Sequence, residues 1–399
     1  MYTISGAFIT ALQSPGHTMR VHMHVLDTDF NTVAEFHDIG DHSASAADTI
    51  IDGNVDVDVT RLTRRTFTAN LLNDDAVWTP GSDWSGTFYV NRLVRFYRGI
   101  DYGGGHEFAT EHGAHSSSEE MAPIGTFMID HADVAVERNM SIVVLTGSDL
   151  WKKFSKSGFP AAKSWPVGTA INTIIAYIAG EAGVTQLNLD PLSSRVTADT
   201  QTAKTFAVEQ GDNRGEAISR LCVDAGIDVY FDTLGRFTTQ DFKTPGDAAV
   251  VYTYDPDDNN NLLTIKASYT DENLYNSVLV VGTQDKDNLI WARVRDTDPL
   301  SVTSVARIGE RLFVHESDSI GTQAVADAVA TRLFYQKVLI NEDITLEVIC
   351  NPAYEGNDVI RVKEQDFSKL DRDYRIQAFT VPMSTSKQTI RLLREIKLT

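Results

Sequence analysis

The sequence predicts an α+β fold dominated by β-structure, with two β-barrel-like domains on either side of a mixed α/β domain. Residues 1–146 and 246–399 contain many short segments in which apolar and polar residues alternate, and residues 147–245 contain two segments of helical periodicity. Alternation with a period of two is typical of strands with one buried face, whereas apolar residues three and four positions apart indicate a helix. These ranges are approximate limits, because a domain can be discontinuous in sequence.

The first domain is predicted to consist of strands joined by short turns. In Thr18–Leu26, four apolar residues alternate with Arg20, His22 and His24, which indicates a half-buried strand. Residues 99–122 contain five Gly, three His and three Ser without periodicity, so we expect a mobile loop inserted into the β domain there. Further strands are predicted at Asn54–Leu62, Phe67–Leu71, Phe88–Tyr97, Gly125–Ile129 and Ser141–Thr146.

The middle domain is predicted to contain two amphipathic helices followed by a hairpin. Gly168–Ala182 places four isoleucines on one face, and Gly183 is the expected C-terminal cap. The second helix is expected to begin at Asn213 as the N-cap, with Glu216 in its first turn, and to end near Ala225. The predicted hairpin pairs Ile227–Asp232 with Arg236–Phe242 around the turn Thr233-Leu234-Gly235.

The last domain is predicted to return to β-structure. One helix interrupts it at about 322–337, with Thr322 as the N-cap. No tandem repeat of fixed period is visible along the chain. The strand patterns lie at Val250–Tyr254, Ser277–Val281, Ile290–Val294, Ile344–Ile349, Val359–Val362, Tyr374–Val381 and Thr389–Leu398.

Composition excludes several classes of protein. Of 399 residues, 42% are hydrophobic and 23% charged, which is ordinary for a folded chain and too apolar for an entirely disordered one. Lys and Arg number 35 against 55 Asp and Glu, a net charge of −20 that argues against a nucleic-acid-binding surface. The N-terminus has no basic segment and no long apolar run, and 18 consecutive apolar residues occur nowhere, so neither a signal peptide nor a membrane anchor is predicted.

The two cysteines, Cys222 and Cys350, are too few and too far apart in sequence for a disulfide framework. Cys222 falls in a helical pattern and Cys350 ends a strand pattern. We therefore predict two small buried apolar side chains, in a fold made in a reducing cytoplasm.

Histidines provide the first candidates for a metal site. His106, His112 and His115 fall within the expected loop, together with Glu107 and Glu111. Their spacings of six and three residues match no HExxH or CxxC pattern, so we interpret them as part of a polar loop, with weak metal capture as the alternative. His22 and His24 lie two residues apart on one strand face, and a solvent-facing strand explains them as well as a metal does.

Other chemical motifs fail on particular residues. The segment 255–261 is acidic like a calcium loop, but Asn260 stands where the loop needs Gly and Lys266 where it needs Glu, so we predict a polar turn between two strands. No GxSxG nucleophile motif is present, and the glycines at 103–105 open no helix. Adjacent carboxylates such as 74–75 and 119–120 are weak indicators of a glycosidase. No catalytic, cofactor-binding or metal-ligating residue is assigned, and we expect no cofactor.

The order of several segments resembles that of phage tail hub, or baseplate hub, proteins of siphophages and of hub-like families in contractile phages. In Glu209–Asp232, a helix with Ala217-Ile218, Arg220-Leu221 and Ala225-Gly226 leads into a strand and then to Gly235-Arg236-Phe237, as in that family. Further segments resemble the family in the same order: Gly53–Leu72 with Arg64 and Arg65, Pro123–Ile129, Gly147–Leu150, Asn276–Gly282 and Asn351–Ile360. The chain departs from the family in the insert at 99–122, and we expect no receptor-binding or lysozyme-like extension.

The resemblance implies a structural, non-enzymatic protein. Such hubs form homotrimers at the distal tip of the virion tail, assembled in the host cytoplasm. Their two barrels per chain make a pseudo-six-fold ring that joins the tail tube to the tip. Implied partners are the distal tail protein ring, the tape-measure protein and tip or fibre proteins. DNA passes through the channel without specific binding, and the net charge of −20 suggests an acidic lumen that repels phosphates. The insert is expected to contact a neighbouring subunit or tip protein.

Three alternatives remain open at this point. A hexameric distal tail protein would also begin with a β domain and carry no active site. A wall-degrading enzyme of the tail tip is disfavoured by the missing nucleophile and metal motifs. A secreted carbohydrate-binding module is disfavoured by the expected absence of a signal peptide and by the hub-like helix at 213–225.

Overall fold

The computed structural model describes residues 2–13, 17–38, 48–73, 78–79, 87–101, 119–137, 140–190, 205–225, 227–241, 248–255, 261–270, 274–285, 288–317, 320–337, 341–364 and 369–394. Among the described elements, strands outnumber helices in every part of the chain, and three of the six helices lie in the middle part. The predicted α+β, β-dominated class is thereby confirmed.

The N-terminal part forms a closed barrel. Its strands follow the order β3-β2-β1-β5-β6-β7-β4, and pairing of β3 with β4 closes the cylinder. Apolar side chains such as Val21, Phe67 and Phe127 fill the interior, and α1 covers one end by packing Phe8 and Leu12 on Ile100. The elements are α1 Gly6–Gln13, β1 Thr18–Leu26, β2 Thr32–Asp38, β3 Asp48–Asp58, β4 Arg65–Leu72, β5 Leu93–Asp101, β6 Glu119–Glu137 and β7 Met140–Ser148.

The loop expected at 99–122 differs from the structure at both ends. Gly99 pairs with Met121 and Asp101 with Glu119, so β5 and β6 continue into the range. The glycine and the acidic residues there are compatible with strands because the neighbouring strands supply their hydrogen bonds. Residues 102–118, with His106, His112, His115, Glu107 and Glu111, lie outside the described residues.

The middle part is a mixed α/β unit built around its own core. The helix predicted from Gly168 begins at Ile171, because Ala170 is still extended with φ −62° and ψ 131°. The second predicted helix is confirmed with its cap, since Asn213 Oδ1 accepts bonds from the backbone N–H groups of Gly215 and Glu216. The elements are α2 Trp151–Ser155, β8 Lys163–Trp165, α3 Ile171–Glu181, β9 Leu187–Leu189, β10 Phe206–Val208, α4 Arg214–Ala225, β11 Ile227–Phe231 and β12 Phe237–Asp241.

The C-terminal part contains a curled sheet in the order β14-β18-β21-β20-β19-β13 and a smaller sheet, β16-β15-β17, covered by α6. The elements are β13 Val250–Tyr254, β14 Leu262–Thr270, β15 Ser277–Asp285, β16 Asn288–Arg295, α5 Val305–Ile308, β17 Leu312–Glu316, α6 Gln323–Lys337, β18 Asn341–Ile349, β19 Val359–Glu364, β20 Leu370–Pro382 and β21 Lys387–Arg394.

The barrel and the curled sheet are joined by strand pairing. Residues 378–382 of β20 run antiparallel to residues 54–58 of β3, with Phe379 opposite Val57. Apolar residues from both units form one continuous buried cluster across this contact. The two β units are therefore held side by side in a fixed orientation. Among the described helices, none has the length and apolar character needed to cross a membrane.

Candidate functional site

Arg64 and Arg65 lie at the start of β4, where the barrel, the middle unit and the C-terminal sheet meet. The backbone N–H groups of both residues donate to Asp149 Oδ2, at 2.8 and 3.1 Å. Asp149 Oδ1 accepts a third bond, of 3.0 Å, from the backbone of Trp151 at the beginning of α2. The Asp149 side chain is completely buried, and this burial raises its pKa to about 6. Asp149 thus ties the barrel to the first helix of the middle unit.

The two guanidinium groups bind the other two parts of the chain. Arg65, only 2% exposed, donates from Nη1 to the carbonyl of Phe231 at 2.8 Å and pairs through Nη2 with Glu355 of the C-terminal part. Arg64 pairs with Asp228 on β11, and its guanidinium carbon lies 4.7 Å from the centre of the Tyr230 ring. We call Arg64, Arg65, Asp149, Asp228 and Glu355 the arginine junction.

A second contact fixes the middle unit on the outside of the barrel. Thr126 Oγ1 on β6 donates to the carbonyl of Thr233, and Arg95 Nη2 on β5 donates to the carbonyl of Leu234, at 2.8 and 2.7 Å. Gly235 closes this turn with φ +79°, and a Cβ there would lie 2.9 Å from Phe30 and 3.0 Å from Thr126. Only glycine therefore fits the turn without strain or displacement.

The arginine junction brings together segments that are far apart in the sequence. Those that suggested the hub resemblance contribute Arg64, Arg65, Asp149, Asp228 and Glu355, and Arg65 and Glu355 are separated by 290 positions. The role of Arg95 was missed, because a single arginine in an alternating strand pattern is typical of a solvent-facing position. The resemblance therefore marks an architectural site, where three parts of the chain are held in one arrangement.

A groove of about 570 Å³ lies between α4 and β17 and contains the side-chain types of a hydrolase. Ser317 Oγ donates to Asp224 Oδ2 at 2.6 Å, and His315 Nε2 lies 3.3 Å from Asp224 Oδ1. In a catalytic triad the serine is bonded to the histidine, which is bonded in turn to the carboxylate. Here the carboxylate lies between the other two, so the arrangement differs from that of a triad, and the contacts hold β17 against α4.

The polar face of β1 corrects one interpretation. His22 and His24 are 3% and 5% exposed, although a solvent-facing strand was expected. The reason is that β1 lies between β2 and β5, whose large side chains cover it: His37 stacks on His22 with ring centres 4.2 Å apart, and Tyr97 packs on His24 at 4.6 Å. In the part of the chain that the structure describes, no group of three or more potential ligands is arranged to hold a metal ion.

Both cysteines are free and buried, as predicted. Burial raises the pKa of each thiol, to about 11 for Cys350. Because the thiolate is the reactive form of cysteine, both are chemically inert at neutral pH.

An acidic stripe follows the outer face of β3 beside its contact with β20. Asp52, Asp56 and Asp58 alternate with the buried Val55 and Val57. Residues of the C-terminal sheet extend the contact, since the hydroxyls of Thr380 and Ser384 donate to Asp56 and Asp52. The contact between β3 and β20 therefore presents carboxylates on one side.

Comparison with known proteins finds similarity in structure and not in sequence. No protein-family model and no curated protein matches the chain. The tail protein from Neisseria meningitidis MC58 superimposes with a TM-score of 0.64 at 12% identity, over 94% of this chain and 97% of that one. The 43 kDa tail protein of prophage MuSo2 from Shewanella oneidensis gives 0.60 at 11% identity, over 94% and 98%. Prophage tail protein gp18 from Listeria monocytogenes EGD-e gives 0.54 at 10% identity, over 95% of each chain.

At these identities the comparisons establish a shared fold. The chain has the fold of phage tail proteins along nearly its whole length, which confirms the resemblance predicted from the dispersed motifs.

Proposed function

We propose that the chain is a structural hub protein of a phage tail. Three copies form a pseudo-six-fold ring at the distal tip, which joins the tail tube to the tip and surrounds the channel for the tape-measure protein and DNA. The observation that carries this proposal is the rigid side-by-side pairing of two β units within one chain. Three chains built in this way supply six similar units, which suits a junction between six-fold and three-fold structures.

The arginine junction fits this mechanical role. A ring that surrounds a channel must keep its units in register while other tail proteins bind to it and DNA moves through it. Buried arginines with several partners, such as Arg65, hold three segments in a single geometry, because breaking a contact leaves a carboxylate or a carbonyl without its partner. The distal tail protein ring, the tape-measure protein and tip or fibre proteins are the proposed partners of this rigid frame.

The acidic stripe on β3 is proposed to face the channel. Carboxylates there repel DNA phosphates within a Debye length of about 8 Å, so that DNA passes without being held. The net charge of −20 per chain is consistent with this, and no specific recognition of bases is required.

The particle mass and symmetry test the proposal. Sedimentation of the purified protein is expected to give three times the 44.1 kDa of one chain, and negative-stain images are expected to show a three-fold ring. A six-chain ring would favour a distal tail protein instead. Clearing of cell-wall material in a zymogram would favour the enzyme alternative.

A further inference from the structure

The two β units repeat the same arrangement of strands. The barrel contains the order β6-β7-β4-β3 and the C-terminal sheet contains β20-β21-β18-β14, with every neighbouring pair antiparallel. The strands that match also follow one another in the same order along the chain: β3, β4, β6 and β7 in the barrel match β14, β18, β20 and β21 in the C-terminal sheet. The antiparallel pair β5–β6 corresponds in the same way to the antiparallel pair β19–β20. The repeat is not visible in the sequence, because the two halves share few residues in register.

Irregular backbone features coincide in the two units. Asn91 and Asn357 both have φ of +71°, and each stands two residues before the strand that begins at Leu93 or Val359. Their backbone N–H groups donate to the carbonyls of Ile129 and Ile376, at 2.8 and 3.0 Å. A non-glycine residue with positive φ is uncommon, so the same residue type in the same place supports a true structural repeat.

Two pairs of β-bulges place the repeats in register. In β6 the last residue paired with β5 is Met128, and the bulge lies two residues later, at Asp130. In β20 the last residue paired with β19 is Arg375, and the bulge again lies two residues later, at Gln377. The first bulges of β3 and β14 also correspond, at Ile51 and Leu263. Residues 131–135 of β6 therefore correspond to residues 378–382 of β20, and residues 266–270 of β14 correspond to residues 54–58 of β3.

The two units contact each other along one pair of strand edges, and the equivalent pair of edges forms no such contact among the described residues. Within the chain, 378–382 pair with 54–58. On the equivalent edges of 131–135 and of β14, the structure pairs no strand among the residues that it describes. The first of these edges also exposes apolar surface, since Val134 is 42% and the neighbouring Val136 is 74% exposed. Open edges of this kind are templates for pairing with another chain.

We infer that residues 131–135 of one copy pair antiparallel with residues 266–270 of a second copy, in the register of the contact between β20 and β3. This seam places Val134 opposite Ala267, Asp133 opposite Ser268 and Ala135 opposite Lys266. Asp133 then lies diagonal to Lys266, an attractive cross-strand pair. The contact is heterologous, so it propagates from copy to copy, and it closes as a ring when the rotation that relates successive copies returns to the first copy. The inference rests on the proposed function only in requiring that copies assemble.

A disulfide trap tests the register. In the parent contact Met383 N–H donates to the Gly53 carbonyl at 2.9 Å, so the adjacent pair of Pro382 and Asn54 is not hydrogen-bonded. The equivalent pair, Ala135 and Lys266, then has Cα atoms about 4.5 Å apart, which a disulfide can bridge. The variant Ala135→Cys with Lys266→Cys is expected to form covalent dimers and trimers under mild oxidation. The matched control, Ala135→Cys with Ala267→Cys, directs the two thiols to opposite faces and is expected to remain uncrosslinked.

Charge substitutions test the energetics of the same seam. Val134→Lys with Ala267→Lys opposes like charges and is expected to raise the dissociation concentration of the assembly by roughly tenfold. Val134→Lys with Ala267→Glu is expected to restore assembly. Both substituted positions, 134 and 267, are exposed, so the circular dichroism spectrum of each variant should match that of the parent.

The outcomes separate the seam from the proposed function. Assembly to three chains without the crosslink, and without any response to the charge variants, would overturn the seam and leave the ring intact. A protein that stays monomeric at every concentration and does not crosslink would contradict both.

Discussion

Arg65 is the residue whose loss should most disturb the fold. Arg65→Met leaves Glu355 and the Phe231 carbonyl without their partner, which should lower the free energy of unfolding by about 3 kcal/mol. Urea denaturation followed by tryptophan fluorescence measures this change. Arg61→Met is the matched control, because the Arg61 side chain is 73% exposed and pairs with Asp58 at the surface. A similar loss for both variants would contradict the role of the arginine junction.

Because of Asp149, the free energy of unfolding should fall as the pH rises towards about 6. Its pKa is raised by burial to about 6, from an ordinary value of 3.8, so the folded protein holds this proton more tightly than the unfolded chain. The stabilisation by that proton is complete below pH 4 and is lost as the pH rises to about 6, a change of about 3 kcal/mol.

The variant Asp149→Asn isolates this effect. Asparagine carries no titrating proton, so the destabilisation caused by the substitution should be larger at pH 4 than at pH 7. Urea midpoints of the parent and the variant at both pH values provide the measurement. The same difference at pH 4 and pH 7 would show that Asp149 does not titrate in this range.

At the scale of elements, the β11–β12 hairpin docks through its turn. Gly235→Val should loosen the hairpin from the barrel, because the new side chain meets Phe30 and Thr126 in addition to the unfavourable φ. Gly211→Val is the matched control, since Gly211 also has positive φ, +91°, but a Cβ there meets nothing within 4 Å. Hydrogen exchange of residues 227–241 should accelerate only in the first variant. Equal acceleration in both would mean that backbone strain, not docking, matters at Gly235.

Elements with strong local patterns were predictable, and weakly patterned ones were not. The bounds of β1, the helix α4 with its Asn213 cap and the β11–β12 hairpin agree with their predictions. β2, β14 and β17 were missed, because they lie at sheet edges or bury few apolar residues and so lack clear alternation. The loop expected at 99–122 was overestimated at both ends for a related reason: glycine and glutamate there are held by neighbouring strands and not by their own preferences.

The arginine junction was only partly predictable. The hub resemblance singled out the segments of Arg64, Asp149 and Glu355, but no local signal indicates which side chains meet. Such contacts depend on closure of the barrel by β3 and β4 and on the pairing of β3 with β20, and the second of these joins residues more than 300 positions apart. The burial of His22 and His24 has the same origin, because neighbouring strands cover them.

At the scale of the whole molecule, the acidic stripe should keep DNA from binding. The assembled protein is expected to show no binding of short duplex DNA at physiological salt. Asp52→Lys with Asp56→Lys should create binding at least about tenfold tighter than the control Glu209→Lys with Glu216→Lys, because charges that line a channel reinforce one another. Fluorescence anisotropy measures both. Equal affinity of the two variants would place the stripe away from the channel.

In the proposed ring, the repeated strand order would set the geometry. A contact already present once within the chain, between β20 and β3, can recur between chains, so that similar junctions alternate around the ring. Two β units per chain then reconcile three copies with six positions, without a second kind of subunit.

Electron cryomicroscopy of the assembled protein tests the proposed ring. We expect a ring of three chains with six similar β lobes around an open channel, in which within-chain and between-chain junctions superimpose. A ring of six chains, or three chains whose β units do not alternate around the channel, would contradict it.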